Sequence, residues 1–163
     1  MMNTTEKQSP SLRQVNIPPT SPRGVTIRAG KTRRNYIERL NIATWNVRSM
    51  YQAGKLANVI LEAKRLNIDV IGISEVGWTG QNRINVDGYE LIYSGNPDKH
   101  EHGVAIMITS ELGKLVNDVM PISERVIAIT LDTKPKPITI IQIYAPTADS
   151  EDQEVEEMYK DIG

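Results

Sequence analysis

One stretch of the sequence constrains the fold most: an apolar strand, an amphipathic helix and a second apolar strand follow one another within residues 40–74. Leu40–Val47 is rich in β-branched and apolar residues, which predicts a strand. Residues 52–66 repeat apolar side chains at helical spacing, and Ile68–Ser74 is a short, almost wholly apolar run. This order predicts a βαβ unit, in which the two strands are parallel and the crossover is right-handed.

The sequence after this unit predicts pairs of strands rather than further crossovers. Gly88–Ser94 and Gly103–Thr109 are apolar and flank a short polar loop. Glu124–Asp132 and Ile138–Tyr144 form a similar pair around a segment rich in lysine and proline. Short connections favour antiparallel pairing, so the chain is predicted to be an α/β protein with a mixed sheet and covering helices.

The two ends of the chain differ in charge. Residues 1–37 hold seven basic residues and one acidic residue, and they are rich in proline and polar residues. This composition predicts a disordered basic arm, which is either a solvated tail or a nucleic-acid contact. Residues 38–163 are then the folded domain. Seven acids lie within 148–163, where apolar residues at helical spacing predict a helix with Ser150 as its N-cap.

Composition excludes several kinds of site. The absence of cysteine excludes disulfides, thiolate metal sites and a cysteine nucleophile. His100 and His102 are the only two histidines, too few for a His-rich zinc site. No apolar run approaches the ~20 residues of a membrane span, and the N-terminus lacks the apolar stretch of a secretory signal. We therefore expect an intracellular protein without a membrane partner, and the basic cluster at residues 31–34 leaves a nuclear location open.

Three polar residues stand at the ends of predicted strands. Asn46, Glu75 and Tyr144 each follow an apolar run, at positions where functional side chains of α/β sheets tend to project. A carboxylate suits a hard cation such as Mg2+, an asparagine can orient a ligand, and a phenol can donate to an anionic oxygen. Taken singly, each residue is more often a cap or a loop hydrogen bond.

Four short motifs occur in a fixed order along the chain: Thr44–Val47, Ile73–Trp78, Gly103–Ile106 and Ile143–Pro146. In this order and spacing they resemble the endonuclease/exonuclease/phosphatase superfamily. Within it they are most similar to endonuclease domains of non-LTR (LINE-type) retrotransposons and to the host proteins derived from them. The resemblance covers about residues 38–163. It implies the first half of a four-layer α/β sandwich, with two mixed sheets face to face and helices outside. It also implies cleavage of DNA phosphodiester bonds with Mg2+ or Mn2+.

The resemblance assigns roles residue by residue. Glu75 matches the metal-binding glutamate of the family, and Asn46 matches the asparagine beside the metal and the scissile phosphate. Tyr144 matches the tyrosine that binds or polarises the phosphate. Arg125 and Trp78 are weaker candidates for phosphate or nucleic-acid contacts. A surface ion pair is the alternative for Arg125.

The sequence departs from the family in its second half. Full members carry a Gly-Asp-x-Asn motif and a late Asp-His pair, and this sequence contains neither. The resemblance therefore implies a catalytically incomplete fragment. We also expect the inner sheet face to stay partly exposed, because most of the facing sheet would be missing. The residues expected to be partly exposed for this reason are Val70, Ile106, Ile129 and Ile141.

Three functions remain open from the sequence. The first is a metal-dependent DNA endonuclease, represented here by part of its domain. The second is a non-catalytic module that binds nucleic acid or another partner. The third is a different branch of the superfamily, such as a phosphatase of inositol lipids or a sphingomyelinase. The sequence does not fix the oligomeric state.

Overall fold

A computed structural model describes residues 23–27, 35–146 and 152–163 of the chain. Its first sheet has six strands in the order β1-β2-β3-β6-β5-β4, and its second has three in the order β7-β8-β9. The strands are β1 Arg23–Ile27, β2 Leu40–Asn46, β3 Val70–Ser74, β4 Gln81–Val86, β5 Tyr89–Ser94, β6 Val104–Thr109, β7 Val116–Pro121, β8 Val126–Leu131 and β9 Ile138–Ile143. The helices are α1 Lys55–Arg65, α2 Ser110–Gly113 and α3 Asp152–Ile162.

The predicted βαβ unit is confirmed. β2 and β3 pair in parallel, with Asn46 opposite Ser74 at their carboxyl ends, and α1 connects them. All other pairs in the first sheet are antiparallel, which makes the sheet mixed. Because β2 and β3 end side by side, the residues that follow them lie at the same edge of the sheet.

Strand alternation divides the apolar residues of the first sheet between two cores. One core lies against α1 and includes Ile71 and Ile73. The other joins the first sheet to the second and includes Val70 and Ile106. Ile129 of β8 belongs to this second core, which therefore holds the two sheets face to face.

The helix α3 contacts β8, and Met158 is its buried residue. Val126 and Ala128 of β8 are buried and alternate with the residues of the inter-sheet core. We infer that α3 covers this outer face of the second sheet. The order of layers is then α1, first sheet, second sheet and α3, as expected of a four-layer α/β sandwich.

The expectation of an exposed inner sheet face is wrong for three of its four residues. Val70, Ile106 and Ile129 are each 0% exposed, because the three-stranded second sheet covers them. Ile141 is 52% exposed, since it lies on the opposite face of β9. The second sheet is present, and only its outer apolar face at β9 remains partly open.

Three further elements were missed by the sequence patterns. β4 is a largely exposed edge strand whose polar residues hide its alternation. β7 contains a register shift between Val116 and Asp118, which interrupts the period of two. α2 has only four residues.

The prediction of a disordered arm is wrong for part of residues 1–37. Arg23–Ile27 forms β1, which pairs antiparallel with β2. The remaining residues up to 34 and the predicted N-cap Ser150 lie outside the described residues. No helix in the described part of the chain is long and apolar enough to cross a bilayer.

Candidate active site at the shared end of the two sheets

A glycine allows the two sheets to approach each other near this edge. A Cβ atom on Gly72 of β3 would lie 1.8 Å from the side-chain oxygen of Gln142 on β9. Gln142 is 7% exposed, and its amide donates to Ser74 Oγ at 3.5 Å and to the carbonyl of Ile143 at 3.0 Å. The close packing of β9 on β3 brings Tyr144, just beyond β9, towards Glu75, just beyond β3.

The three residues predicted from strand ends meet at one carboxylate oxygen. Glu75 Oε1 accepts a hydrogen bond of 2.7 Å from Asn46 Nδ2 and one of 2.9 Å from the Tyr144 hydroxyl. Asn46 Oδ1 in turn accepts from the backbone N–H of Arg48 at 3.0 Å. The asparagine is therefore fixed at both ends of its amide. Among the described residues, no donor is bonded to Glu75 Oε2.

The pKa of the Tyr144 hydroxyl is raised above its ordinary value. Partial burial contributes most, and the hydrogen bond and negative charge of Glu75 add to it. The positive charge of Arg125 acts in the opposite direction. The phenol is therefore protonated throughout the neutral range and is a hydrogen-bond donor at this site.

Left-handed backbone conformations cluster around the same edge. Glu75 has a φ of 57°, and Arg48 and Ser49 after β2 have φ values of 49° and 74°. His102 before β6 has a φ of 53°. Such conformations cost about 1–3 kcal/mol each in residues other than glycine and concentrate at functional sites. Backbone bonds join these loops: Ser49 N–H donates to the Glu75 carbonyl at 2.7 Å.

Arg125 lies against Tyr144 and is engaged by its neighbours. Its guanidinium carbon is 5.3 Å from the centroid of the Tyr144 ring, and Nη2 donates to Glu154 of α3 at 3.1 Å. Its side chain is only 12% exposed. The residue thus adjoins the site, but in this arrangement it contacts the phenol ring and an acid. A role in phosphate binding stays a prediction.

Both ring nitrogens of the neighbouring His102 have protein partners. Arg125 Nη2 lies 3.4 Å from Nε2, and an arginine can only donate, so Nε2 is the acceptor. Nδ1–H then donates to Glu124 at 2.8 Å, and Glu124 also accepts from Asn96 at 2.6 Å. This network holds Arg125 beside Tyr144, and the rings of His102 and Tyr144 lie 6.1 Å apart between centroids. Apart from the polar residue types, no sequence pattern indicates this network.

Trp78 lies away from these groups. It is partly buried, packs edge-on against Tyr93 with ring centroids 5.1 Å apart, and adjoins the core under α1. It is not among the residues that line the cleft beside Glu75. A nucleic-acid contact by Trp78 stays a prediction, and the observed packing is that of a residue at the edge of the core.

The cleft beside Glu75 measures about 460 Å³ and is open to solvent. Besides Glu75 and Tyr144, it is lined by residues of the three loops that meet here: Arg48, Ser49, Gly77, His100, Glu101 and His102. No group of three or more histidine, aspartate or glutamate side chains that could hold a metal occurs within residues 35–146 and 152–163. Two carboxylates of the described residues line this cleft, Glu75 and Glu101.

Three solved structures share this fold with the chain. The AP endonuclease of Archaeoglobus fulgidus matches with a TM-score of 0.55 at 26% sequence identity. The Xenopus laevis APE2 catalytic domain matches with a TM-score of 0.55 at 16% sequence identity. The endonuclease domain of TRAS1, a telomere-specific non-LTR retrotransposon, matches with a TM-score of 0.50 at 16% sequence identity. The matches cover 74–76% of this chain and 49–51% of those chains. The chain thus has the endonuclease/exonuclease/phosphatase fold, as the motifs predicted.

Sequence similarity points to a particular group of proteins with this fold. The chain is 39% identical over 121 residues to craniofacial development protein 2 of Bos taurus and 38% identical over 121 residues to that of Tragulus javanicus. These matches cover 74% of this chain but 20% and 21% of the two relatives. The chain therefore spans about a fifth of the length of the curated relatives it matches. No protein-family model matches the chain.

Proposed function

We propose that this chain carries the metal- and phosphate-binding part of a site that hydrolyses phosphodiester bonds in DNA. The observation that supports this most directly is the convergence of Asn46 and Tyr144 on Glu75 Oε1, within 2.7 Å and 2.9 Å. Two residues, one at the end of β2 and one beyond β9, thus hold the Glu75 carboxylate at the edge of an open cleft. The nuclease-like fold of the solved neighbours supports the same reaction class.

The donor set suits Mg2+ or Mn2+, because a carboxylate is a ligand that hard cations prefer. Glu75 would bind the ion through Oε2, since Oε1 already accepts two hydrogen bonds. When bound, the ion would neutralise negative charge on the phosphate and its leaving oxygen. With one carboxylate, the site favours a largely hydrated ion and weak affinity.

The structure modifies the role expected of Asn46. Its amide nitrogen donates to Glu75, and its oxygen accepts from the Arg48 backbone. Asn46 therefore acts in the proposal by orienting the metal-binding carboxylate, with a direct bond to the metal as the lesser role. Tyr144, whose raised pKa keeps it protonated, donates to Glu75 and would hold this carboxylate beside the phosphate.

A non-catalytic nucleic-acid-binding module is the second candidate. The observation that favours it is that only two carboxylates among the described residues line the cleft, Glu75 and Glu101. Glu101 lines the same cleft, but it pairs with Lys99 at 3.3 Å. A general base that activates the attacking water contributes typically 10²- to 10⁴-fold in rate. A site with only the metal side of the machinery would bind DNA and hydrolyse it slowly.

Plasmid nicking in Mg2+ buffer tests the proposal. We expect the chain alone to nick supercoiled DNA no faster than background. Fusion to the second half of a related endonuclease, from Gly-Asp-x-Asn through its Asp-His pair, should restore nicking. Glu75→Ala should then abolish nicking, and Asn46→Ala and Tyr144→Phe should weaken it.

The matched control is Glu111→Ala, which removes an exposed carboxylate on α2, outside the cleft. Nicking that survives Glu75→Ala in the fusion would refute the role of Glu75. Salt-sensitive DNA binding by a well-folded fusion that never nicks would favour the non-catalytic module.

A further inference from the structure

An exposed pair of rings stands at the rim of the cleft. Tyr51 is 67% exposed, and its ring centroid lies 4.7 Å from that of His100 at an interplanar angle of 56°. His100 lines the cleft that contains Glu75. A tyrosine with two-thirds of its surface in solvent contributes little to the core. Its position beside a candidate phosphate site therefore requires a different explanation.

Both rings are held by the loops that form the candidate site. The backbone N–H of Tyr51 donates to Ser49 Oγ at 3.1 Å, and the preceding Met50 N–H donates to the Val76 carbonyl at 2.8 Å. His100 Nδ1 lies 3.0 Å from the carbonyl of Gly77, which fixes the imidazole against the loop that follows Glu75. The ring pair is thus attached to the same short segments that position the carboxylate.

A cation without a protein partner accompanies the rings. Arg48 is exposed and lines the cleft, and its guanidinium has no ion-pair or hydrogen-bond partner among the residues that the structure describes. Two acids lie on the nearby loop, Asp98 and Glu101, and Lys99 pairs with Glu101. The rim therefore presents an aromatic surface and one available guanidinium beside the cleft.

We propose that Tyr51 and His100 form a stacking platform for one unpaired nucleobase of single-stranded DNA, with Arg48 contacting the adjoining phosphate. The proposal rests on the phosphodiester site proposed above, because a base on the platform would place its own backbone at the mouth of the cleft. Aromatic side chains stack on any base, so the platform selects for unpaired bases rather than for sequence. A base within a duplex is already stacked on both faces and cannot use it.

Binding of a fluorescein-labelled oligonucleotide, followed by anisotropy in EDTA, tests the platform without any metal chemistry. The full 163-residue chain is titrated with a single strand that carries bases and with a strand of equal length made of abasic deoxyribose phosphates. Tyr51→Ala should weaken binding of the base-carrying strand roughly ten- to hundredfold and leave the abasic strand unchanged. Tyr51→Phe should retain the affinity, since stacking needs the ring and not the hydroxyl.

Three comparisons complete the test. Tyr159→Ala is the matched control, because Tyr159 is 66% exposed but lies on α3. It should bind both strands like the unmodified chain. Arg48→Gln should weaken both strands to the same degree, as expected of a phosphate contact. A blunt duplex of the same sequence should bind more weakly than the single strand.

The platform is refuted if the unmodified chain binds base-carrying and abasic strands equally, or binds neither. Equal loss for both strands in Tyr51→Ala would also refute it, since that result indicates a backbone contact or a change in fold. DNA binding is measured in EDTA, whereas nicking by the fusion requires Mg2+. The platform can therefore fail while Glu75-dependent nicking by the fusion succeeds, and the reverse is equally observable.

Discussion

Replacing Ile129 by alanine tests whether the second sheet covers the first as the structure shows. Ile129 lies in the centre of β8 and is 0% exposed, in the core between the two sheets. The matched variant is Ile141→Ala on the neighbouring strand β9, where the side chain is 52% exposed. Both substitutions remove the same atoms from a strand, so they differ chiefly in burial.

The expected costs differ by several kcal/mol. Truncating a fully buried isoleucine to alanine lowers the free energy of unfolding by about 2–5 kcal/mol, because apolar transfer is lost and a cavity remains. Truncating the half-exposed Ile141 should cost about 1 kcal/mol or less, most of it through β-propensity. Since domains are stable by only about 5–15 kcal/mol, the Ile129 variant should lose a large share of the total.

Urea unfolding followed by circular dichroism measures the difference. With an m-value of roughly 1.5 kcal/mol per M, a loss of about 3 kcal/mol lowers the midpoint by about 2 M. Ile141→Ala should move the midpoint by less than about 0.7 M on the same scale. Equal, small shifts for the two variants would refute the inter-sheet core and restore the expectation of an exposed inner face. A changed m-value would indicate that unfolding is no longer two-state.

Three further predictions concern the site and its support. Gly72→Ala should destabilise the chain by about 1–3 kcal/mol in urea unfolding, because the new methyl group displaces the Gln142 side chain, and the double variant with Gln142→Ala should recover part of the loss. Glu75→Gln should lower the pKa of Tyr144, because the carboxylate raises this pKa by accepting the phenol hydrogen bond and by its charge. Absorbance titration at 295 nm, with Tyr144→Phe as the reference, measures the pKa. An unchanged or higher pKa would contradict the contact between the two residues. Calorimetry should show weak Mg2+ binding that Glu75→Gln abolishes, whereas binding that persists in this variant would place the ion elsewhere, most simply on the acidic residues of α3.

The sequence predicted those elements whose apolar pattern is regular and whose partners are close along the chain. The βαβ unit and the two hairpin pairs follow from periodicity and from connection length, and the structure confirms them. β1, β4 and β7 are edge strands without a regular apolar alternation: β4 is polar and largely exposed, a register shift interrupts β7, and β1 lies in a segment rich in proline and polar residues. Edge strands tolerate polar residues and bulges, and this erases the period on which a prediction depends.

The sequence singled out Asn46, Glu75 and Tyr144 one by one, but it did not predict how closely they meet. Asn46 ends β2 and Glu75 directly follows β3. Because these two strands are parallel neighbours, the βαβ unit alone predicts that the two residues lie close together. Tyr144 belongs to the other sheet, and its hydrogen bond to Glu75 depends on how closely two sheets pack. That distance is set by pairs such as Gly72 and Gln142, which are 70 positions apart in the sequence and share no periodic signal.

The candidate site therefore depends on packing between the sheets as much as on the residues that face the cleft. Glu75 keeps a left-handed backbone and accepts two hydrogen bonds at one oxygen, so its free oxygen has a defined direction only while Tyr144 stays in place. Tyr144 stays in place because Arg125 lies over its ring and because β9 packs on Gly72. A substitution at Gly72 should thus weaken Mg2+ binding at Glu75 although it removes no ligand. A change in unfolding free energy without a change in Mg2+ affinity would show that the two are independent.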